Sequence, residues 1–138
     1  MSIVSREELC RHLEGSHSRW EDLLRHIDPT RDIYPGWTLR QMLAHLTGWD
    51  ENTIATLTAL QDPEAPQASA AEDFDEFNAR TVSSREGMDF AAIVQEWRST
   101  RNKLVTLLRG MPDESYHKTL VASWGETLSV PDLVQVLW

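Results

Sequence analysis

Three long stretches of this chain space their apolar residues at the period of an α-helix, and that periodicity limits the possible folds more than any other feature. The first runs from about Arg6 to Ile27. A Ser5-Arg6-Glu7-Glu8 capping box opens it, then Leu9, Leu13, Ser16, Trp20, Leu23, Leu24 and Ile27 fall on one stripe, and Asp28-Pro29 ends it. The second starts at a Thr38-x-x-Gln41 cap and runs to about Leu60, with Leu39, Met42, Leu43, Leu46, Ile54 and Leu57 on its apolar face and Gln61-Asp62-Pro63 closing it. The third begins at Asp89, an N-cap residue type, and carries Phe90, Ile93, Val94, Trp97, Leu104, Val105 and Leu108. Gly110 and Pro112 end it, as a C-cap glycine and a following proline would.

Between the second and third stretches, PEAPQASAAED is small, acidic and proline-bearing and reads as a mobile connection; FDEFNARTV then reads as a short helix seating Phe74 and Phe77. Residues 111–128 read as a long polar link. No strand signal competes: HKTLVAS has β character but no pairing partner. SVPDLVQVLW starts a fourth helix at Ser129, with Pro131 tolerated in its first turn. Nine residues follow Ser129. They make roughly 14 Å of helix, against roughly 34 Å for the second stretch. The expectation is an all-α four-helix bundle in one domain, residues 1–138, with a small extra helix between the second and third helices. The fourth helix is short or truncated, so the natural chain is expected to be longer or a partner chain to fill the gap.

Composition narrows the function. The net charge is -9, which repels phosphate backbones and anionic membranes, so neither nucleic acid nor a membrane is an expected partner. No apolar run reaches the roughly 18 residues of a membrane span, and the N-terminus lacks a secretion pattern. A lone cysteine, Cys10, forms no internal disulfide, so a cytoplasmic home is expected. Small molecules and other protein chains remain, including a second copy of this chain as a homodimer through a helix face.

Three polar side chains interrupt the apolar faces. At 100° per residue, His45 lies at the edge of the second stripe, between Gln41 and Trp49. It is either a half-buried histidine bonded to a neighbour or a ligand for zinc or nickel. One imidazole is no metal site, since a catalytic zinc takes three protein ligands. His12 and His26 stand roughly 21 Å apart along their helix, His17 points elsewhere, and His117 is in a link. Asp50 lies inside the second stripe and Arg101 inside the third. They are expected either to pair across the two helices, to line a polar pocket, or to snorkel outward. Of the six tryptophans, Trp20 and Trp97 sit on core stripes, Trp37 can staple the second helix, and Trp49 can wall a pocket beside His45. No P-loop, GxGxxG, CxxC or GxSxG motif is present, and no catalytic residue is assigned.

GWTLRQMLAHLTGWDE resembles the second-helix signature of the DinB-like superfamily of four-helix bundles. DFDEFNAR, followed by AAIVQEWRSTRNKLVTLL, is similar to its ClbS/DfsB-like and maleylpyruvate-isomerase-like branches. The resemblance covers roughly residues 5–138. It implies a bundle with a metal pocket, in which His45 matches one of three histidine ligands. The other two would form a His-x-x-x-His pair on the fourth helix. SVPDLVQVLW contains no histidine, so a divalent metal is expected only if further histidines lie beyond residue 138. Metal-bearing members include transferases working through low-molecular-weight thiols, and the ClbS branch is associated with self-protection against a reactive natural product. The resemblance therefore implies a metal-dependent transferase or hydrolase acting on a small electrophile or thiol adduct. The alternatives are a metal-free binding protein with Trp49, Asp50 and Arg101 about the ligand, or a non-catalytic dimeric module.

Overall fold

The computed structural model describes residues 4–28, 30–68, 70–71 and 73–135, with the backbone but not the side chain of Tyr34. Pro29 and Trp138 lie outside the described residues. The helices are α1 (Arg6–His26), α2 (Leu39–Gln61), α3 (Phe74–Ser83), α4 (Phe90–Gly110), α5 (Asp113–Tyr116) and α6 (Val130–Gln135). Their starts follow from local chemistry. Ser5 accepts from the Glu8 amide, Thr38 and Gln41 close both bonds of a capping box, and Asp73 accepts from the Glu76 amide. Ser129 Oγ accepts from the Asp132 amide at 3.2 Å. Asp89 is the N-cap of α4 but its side chain makes no capping bond.

The apolar stripes meet as their spacing predicts. α2 packs chiefly on α4 and α3, and α1 on α4. Leu39, Leu43, Ile93, Val94 and Trp97 fill one end of the bundle. Leu9, Leu13, Leu57, Leu104, Leu108 and Met111 fill the other, where Val130, Leu133 and Val134 of α6 complete the layer. Short as α6 is, its Val130, Leu133 and Val134 are fully or nearly fully buried, and it packs on α1, α2 and β4. No helix among the described residues is long and apolar enough to cross a membrane.

α2 has a second buried face that the apolar count does not show. Thr47, Gly48, Asn52, Thr53 and Thr56 are buried there, and Thr47 and Thr56 return their hydroxyls to the carbonyls of Leu43 and Asn52 at 2.8 and 2.9 Å. A Cβ on Gly48 would stand 1.9 Å from Thr81 Oγ1, so the glycine lets α3 lie directly on α2.

Two expectations about the links are corrected. The chain does contain strands. β1 (Asp32–Tyr34) pairs with β2 (Trp37–Thr38), and β3 (Thr119–Val121) pairs antiparallel with β4 (Thr127–Ser129). TLV of HKTLVAS finds its partner in TLS eight residues on, because Gly125 takes a φ of 95° and turns the chain between them. Residues 111–128 are thus a short helix and most of a hairpin rather than a polar link. Gly110 is the last residue of α4 and not a left-handed C-cap: Met111 is the cap residue, and its amide bonds the Leu108 carbonyl. The connection before α3 is fastened at Ala71, which is 1% exposed and donates its amide to the Ser123 carbonyl of the β3–β4 turn at 3.0 Å.

Candidate functional site

Placing α3 on α2 and fastening the β3–β4 turn beside them opens a cleft of about 370 Å³, lined by His45, Leu46, Trp49, Phe74, Asn78, Trp124 and Glu126. That volume lies in the range of small-molecule sites, and the lining is aromatic with a few polar groups, as such sites generally are. Ser123 of the turn reaches Asn52 of α2, Oγ to Oδ1 at 2.7 Å, which holds the hairpin against the helix.

The aromatic wall is built from three elements. Trp49 meets Phe74 and Trp124 edge-on, with centroids 5.7 and 5.9 Å apart, and Phe74 meets Trp124 at 5.7 Å. Phe77 lies closer to Trp49, at 4.3 Å. Phe74 remains 50% exposed at the mouth of the cleft. Two polar side chains are set by the tryptophans. The Trp49 indole N–H donates to Asn78 Oδ1 at 2.6 Å, and the Trp124 indole N–H donates to Glu126 Oε2 at 2.9 Å.

His45 stands half-buried in this wall, with Trp37 edge-on to its ring at 5.4 Å. Burial pushes its pKa below the ordinary histidine value of 6.5, while the neighbouring Asn78 side chain pushes it the other way. The imidazole is therefore neutral at physiological pH. Its Nδ1 is buried and has no hydrogen-bond partner. An unpaired buried polar atom costs roughly 1–3 kcal/mol, so this nitrogen is a local cost to the fold.

The other polar interruptions lie deeper. Arg101 donates Nε and Nη2 to the two carboxylate oxygens of Asp50 at 2.8 and 3.1 Å, with the residues 2% and 0% exposed. Burial drives the Asp50 carboxyl up, and the guanidinium opposes it. The pair joins α2 to α4, and neither residue is among those lining the His45 cleft. Sequence placed His17 away from any site, yet its ring stacks on Trp97 at 4.3 Å and its Nε2 contacts Glu21 at 3.1 Å. His17 Nδ1, Trp97 Nε1 and Arg101 Nη1 are buried without partners. The available signal was the Leu13-to-His17 spacing, one turn along the α1 stripe. Asn78, Trp124 and Glu126 were also missed; nothing in their local spacing ties them to His45.

Among the described residues no group of three His, Cys, Asp or Glu side chains gathers as metal donors would. His45 alone does not make a zinc or nickel site among the described residues.

Residues 28–138 match the profile of the mycothiol maleylpyruvate isomerase N-terminal domain. No curated protein matches the chain by sequence. Two crystal structures share its fold. An alanine-for-histidine mutant of the mycothiol-dependent maleylpyruvate isomerase superposes with a TM-score of 0.81 at 12% identity, and a second structure of a mycothiol-dependent maleylpyruvate isomerase with 0.77 at 14%. Each alignment covers 99% of this chain and 59% of the other, so the chain spans somewhat over half the length of those proteins. Of the two DinB-like branches its motifs resemble, the match is to the second, and the chain belongs to the mycothiol maleylpyruvate isomerase N-terminal domain family.

Proposed function

We propose that this chain binds a low-molecular-weight thiol, or its adduct with a small electrophile, in the cleft at His45, and that the imidazole handles the thiol proton. The observation supporting this most directly is a neutral, half-buried imidazole with an unpaired nitrogen in an otherwise aromatic wall. Family membership supports the thiol.

A thiol with a pKa of about 8.5 is mostly protonated at pH 7 and a weak nucleophile in that form. A neutral imidazole accepts the S–H proton while the sulfur electron pair forms a C–S bond to the electrophile. The proton then passes from the imidazole to the atom of the electrophile that took up the displaced electron pair. The Asn78 side chain and the edge-on Trp37 ring hold the imidazole in the wall of the cleft. Retaining the adduct amounts to thiol transfer. A zinc or nickel ion with His45 as one ligand belongs to this reading only with donors from outside the described residues. Binding without chemistry is the alternative, which the same aromatic lining supports.

Calorimetric titration of the tag-free chain with mycothiol, with and without added zinc, tests the reading. Consumption of the thiol with a small electrophile is followed alongside. Binding is expected, and His45→Gln should lower the acceleration by roughly 100-fold. Binding with no acceleration favours the alternative, and no binding in either condition overturns both.

A further inference from the structure

The tip of the β3–β4 hairpin brings two side chains to the cleft as one unit. Trp124 and Glu126 stand on either side of Gly125, whose φ of 95° makes the turn. The Trp124 indole N–H donates to Glu126 Oε2 at 2.9 Å, so ring and carboxylate fix each other. The backbone beneath them is closed by two bonds, Gly125 N–H to the Ala122 carbonyl at 2.9 Å and Ala122 N–H to the Glu126 carbonyl at 2.8 Å. Groups held in this way lose little freedom when a ligand arrives.

The chemistry of this tip says what it can hold. An ionised carboxylate only accepts, and Glu126 Oε1 takes no hydrogen bond from a described residue, so a ligand here presents O–H or N–H donors. Beside it stand the half-exposed Phe74 ring and the half-buried Trp124 indole, edge-on with centroids 5.7 Å apart. An aromatic face is negative, so C–H groups made slightly positive by a neighbouring oxygen suit it well. Asn78 is not spare, since its Oδ1 accepts from Trp49 and its side chain bonds His45. Several hydroxyl donors and polarised C–H groups on one compact body are the surface of a polyhydroxylated ring. A cation would also meet a carboxylate and ring faces. Glu126 is exposed, however, and water screens the attraction of an exposed ion pair.

Resting on the proposed binding role of the cleft, we infer that Trp124, Glu126 and Phe74 form a subsite for a polyhydroxylated ring, a sugar or a cyclitol, on the body that carries the thiol. The ring lays its C–H groups on the aromatic side chains and gives hydroxyl hydrogens to Glu126, while the thiol end lies toward His45. These three residues determine specificity for the body of the thiol and not for the charge of the electrophile.

Four probes test this: methyl glucoside, myo-inositol, cyclohexanol and benzylammonium, titrated into the ¹⁵N-labelled native chain. The Trp49 and Trp124 indole N–H signals report the cleft directly. At least one of the two polyols should shift the Trp124 signal, and which of them binds more tightly tells a sugar from a cyclitol. Cyclohexanol, a six-membered ring with one hydroxyl, should bind about tenfold more weakly. Glu126→Ala and Phe74→Ala should each weaken the polyol about tenfold. Both residues are exposed, so neither change is expected to disturb folding. Cyclohexanol binding as well as the polyols, benzylammonium binding more tightly than either, no response to a polyol at millimolar concentration, or unchanged polyol binding in either variant overturns the inference. The thiol reading fails separately: polyol binding without mycothiol binding would reject that reading and leave the subsite standing, whereas mycothiol binding equally to the native and Glu126→Ala chains would reject the subsite alone.

Discussion

Arg101 of α4 grips Asp50 of α2 through two hydrogen bonds, 2.8 and 3.1 Å long, across the main helix contact of the bundle. Both groups are out of water, so each depends on the other. Asp50→Asn strands a buried guanidinium and is expected to destabilise the fold by about 3–5 kcal/mol. The double change Asp50→Leu with Arg101→Met removes both charges and should recover most of that loss. Urea unfolding of the single and double variants measures it. A single variant with native stability would show that the pair does not carry the contact.

Gly48→Ala tests the close approach of α2 and α3. The added carbon would overlap Thr81 Oγ1 at 1.9 Å and Cβ at 2.5 Å. A loss of about 1–3 kcal/mol is expected. Thr81→Ala should restore little, since its Cβ stays in the way. Because α3 carries Phe74 and Asn78, probe binding in the cleft should weaken in step, which indole N–H shifts would record.

Thr38→Ala should cost about 1 kcal/mol by opening the capping box at the start of α2. Thermal unfolding followed by far-UV circular dichroism reads this out. An unchanged melting temperature would mean the cap is solvated at no cost.

His45 also makes a pH prediction. Its folded pKa lies below the unfolded value of 6.5, because burial disfavours the charged ring. Between those two values the unfolded chain holds more protons than the folded one, so stability falls as pH drops below about 6.5. Glu21 behaves differently. Hydrogen bonding to Arg98 lowers its pKa from 4.5, so its contribution persists above that value and fades only at more acidic pH. Stability measured by urea between pH 7.5 and 5 should therefore decline, and His45→Gln should flatten the slope in that interval. An equal slope in the variant would place the titrating group elsewhere.

Periodicity and capping chemistry decide the helices one segment at a time. The Ser5, Thr38 and Ser129 caps and the apolar stripes were legible because each rests on contacts within three or four residues. The Asp50–Arg101 pair was one of three outcomes the stripes left open, beside a polar pocket and outward snorkelling, because periodicity puts both charges inside apolar faces without saying which faces meet. Length and charge spacing carried this much without any knowledge of how the helices cross.

The rest depended on that crossing. Trp49 and Asn78 are 29 residues apart and meet because Gly48 lets α3 lie on α2. Trp124 and Glu126 arrive on a hairpin whose strands are too short to signal by alternation, and whose pairing follows from the Gly125 turn and the Ala71 and Ser123 bonds. The stacking of His17 on Trp97 joins α1 to α4. Periodicity fixes which face of a helix is apolar but not which residues of another segment lie opposite it. The chain alone therefore determined the bundle and put His45 at its edge, and only the tertiary structure decided which groups gather around that ring.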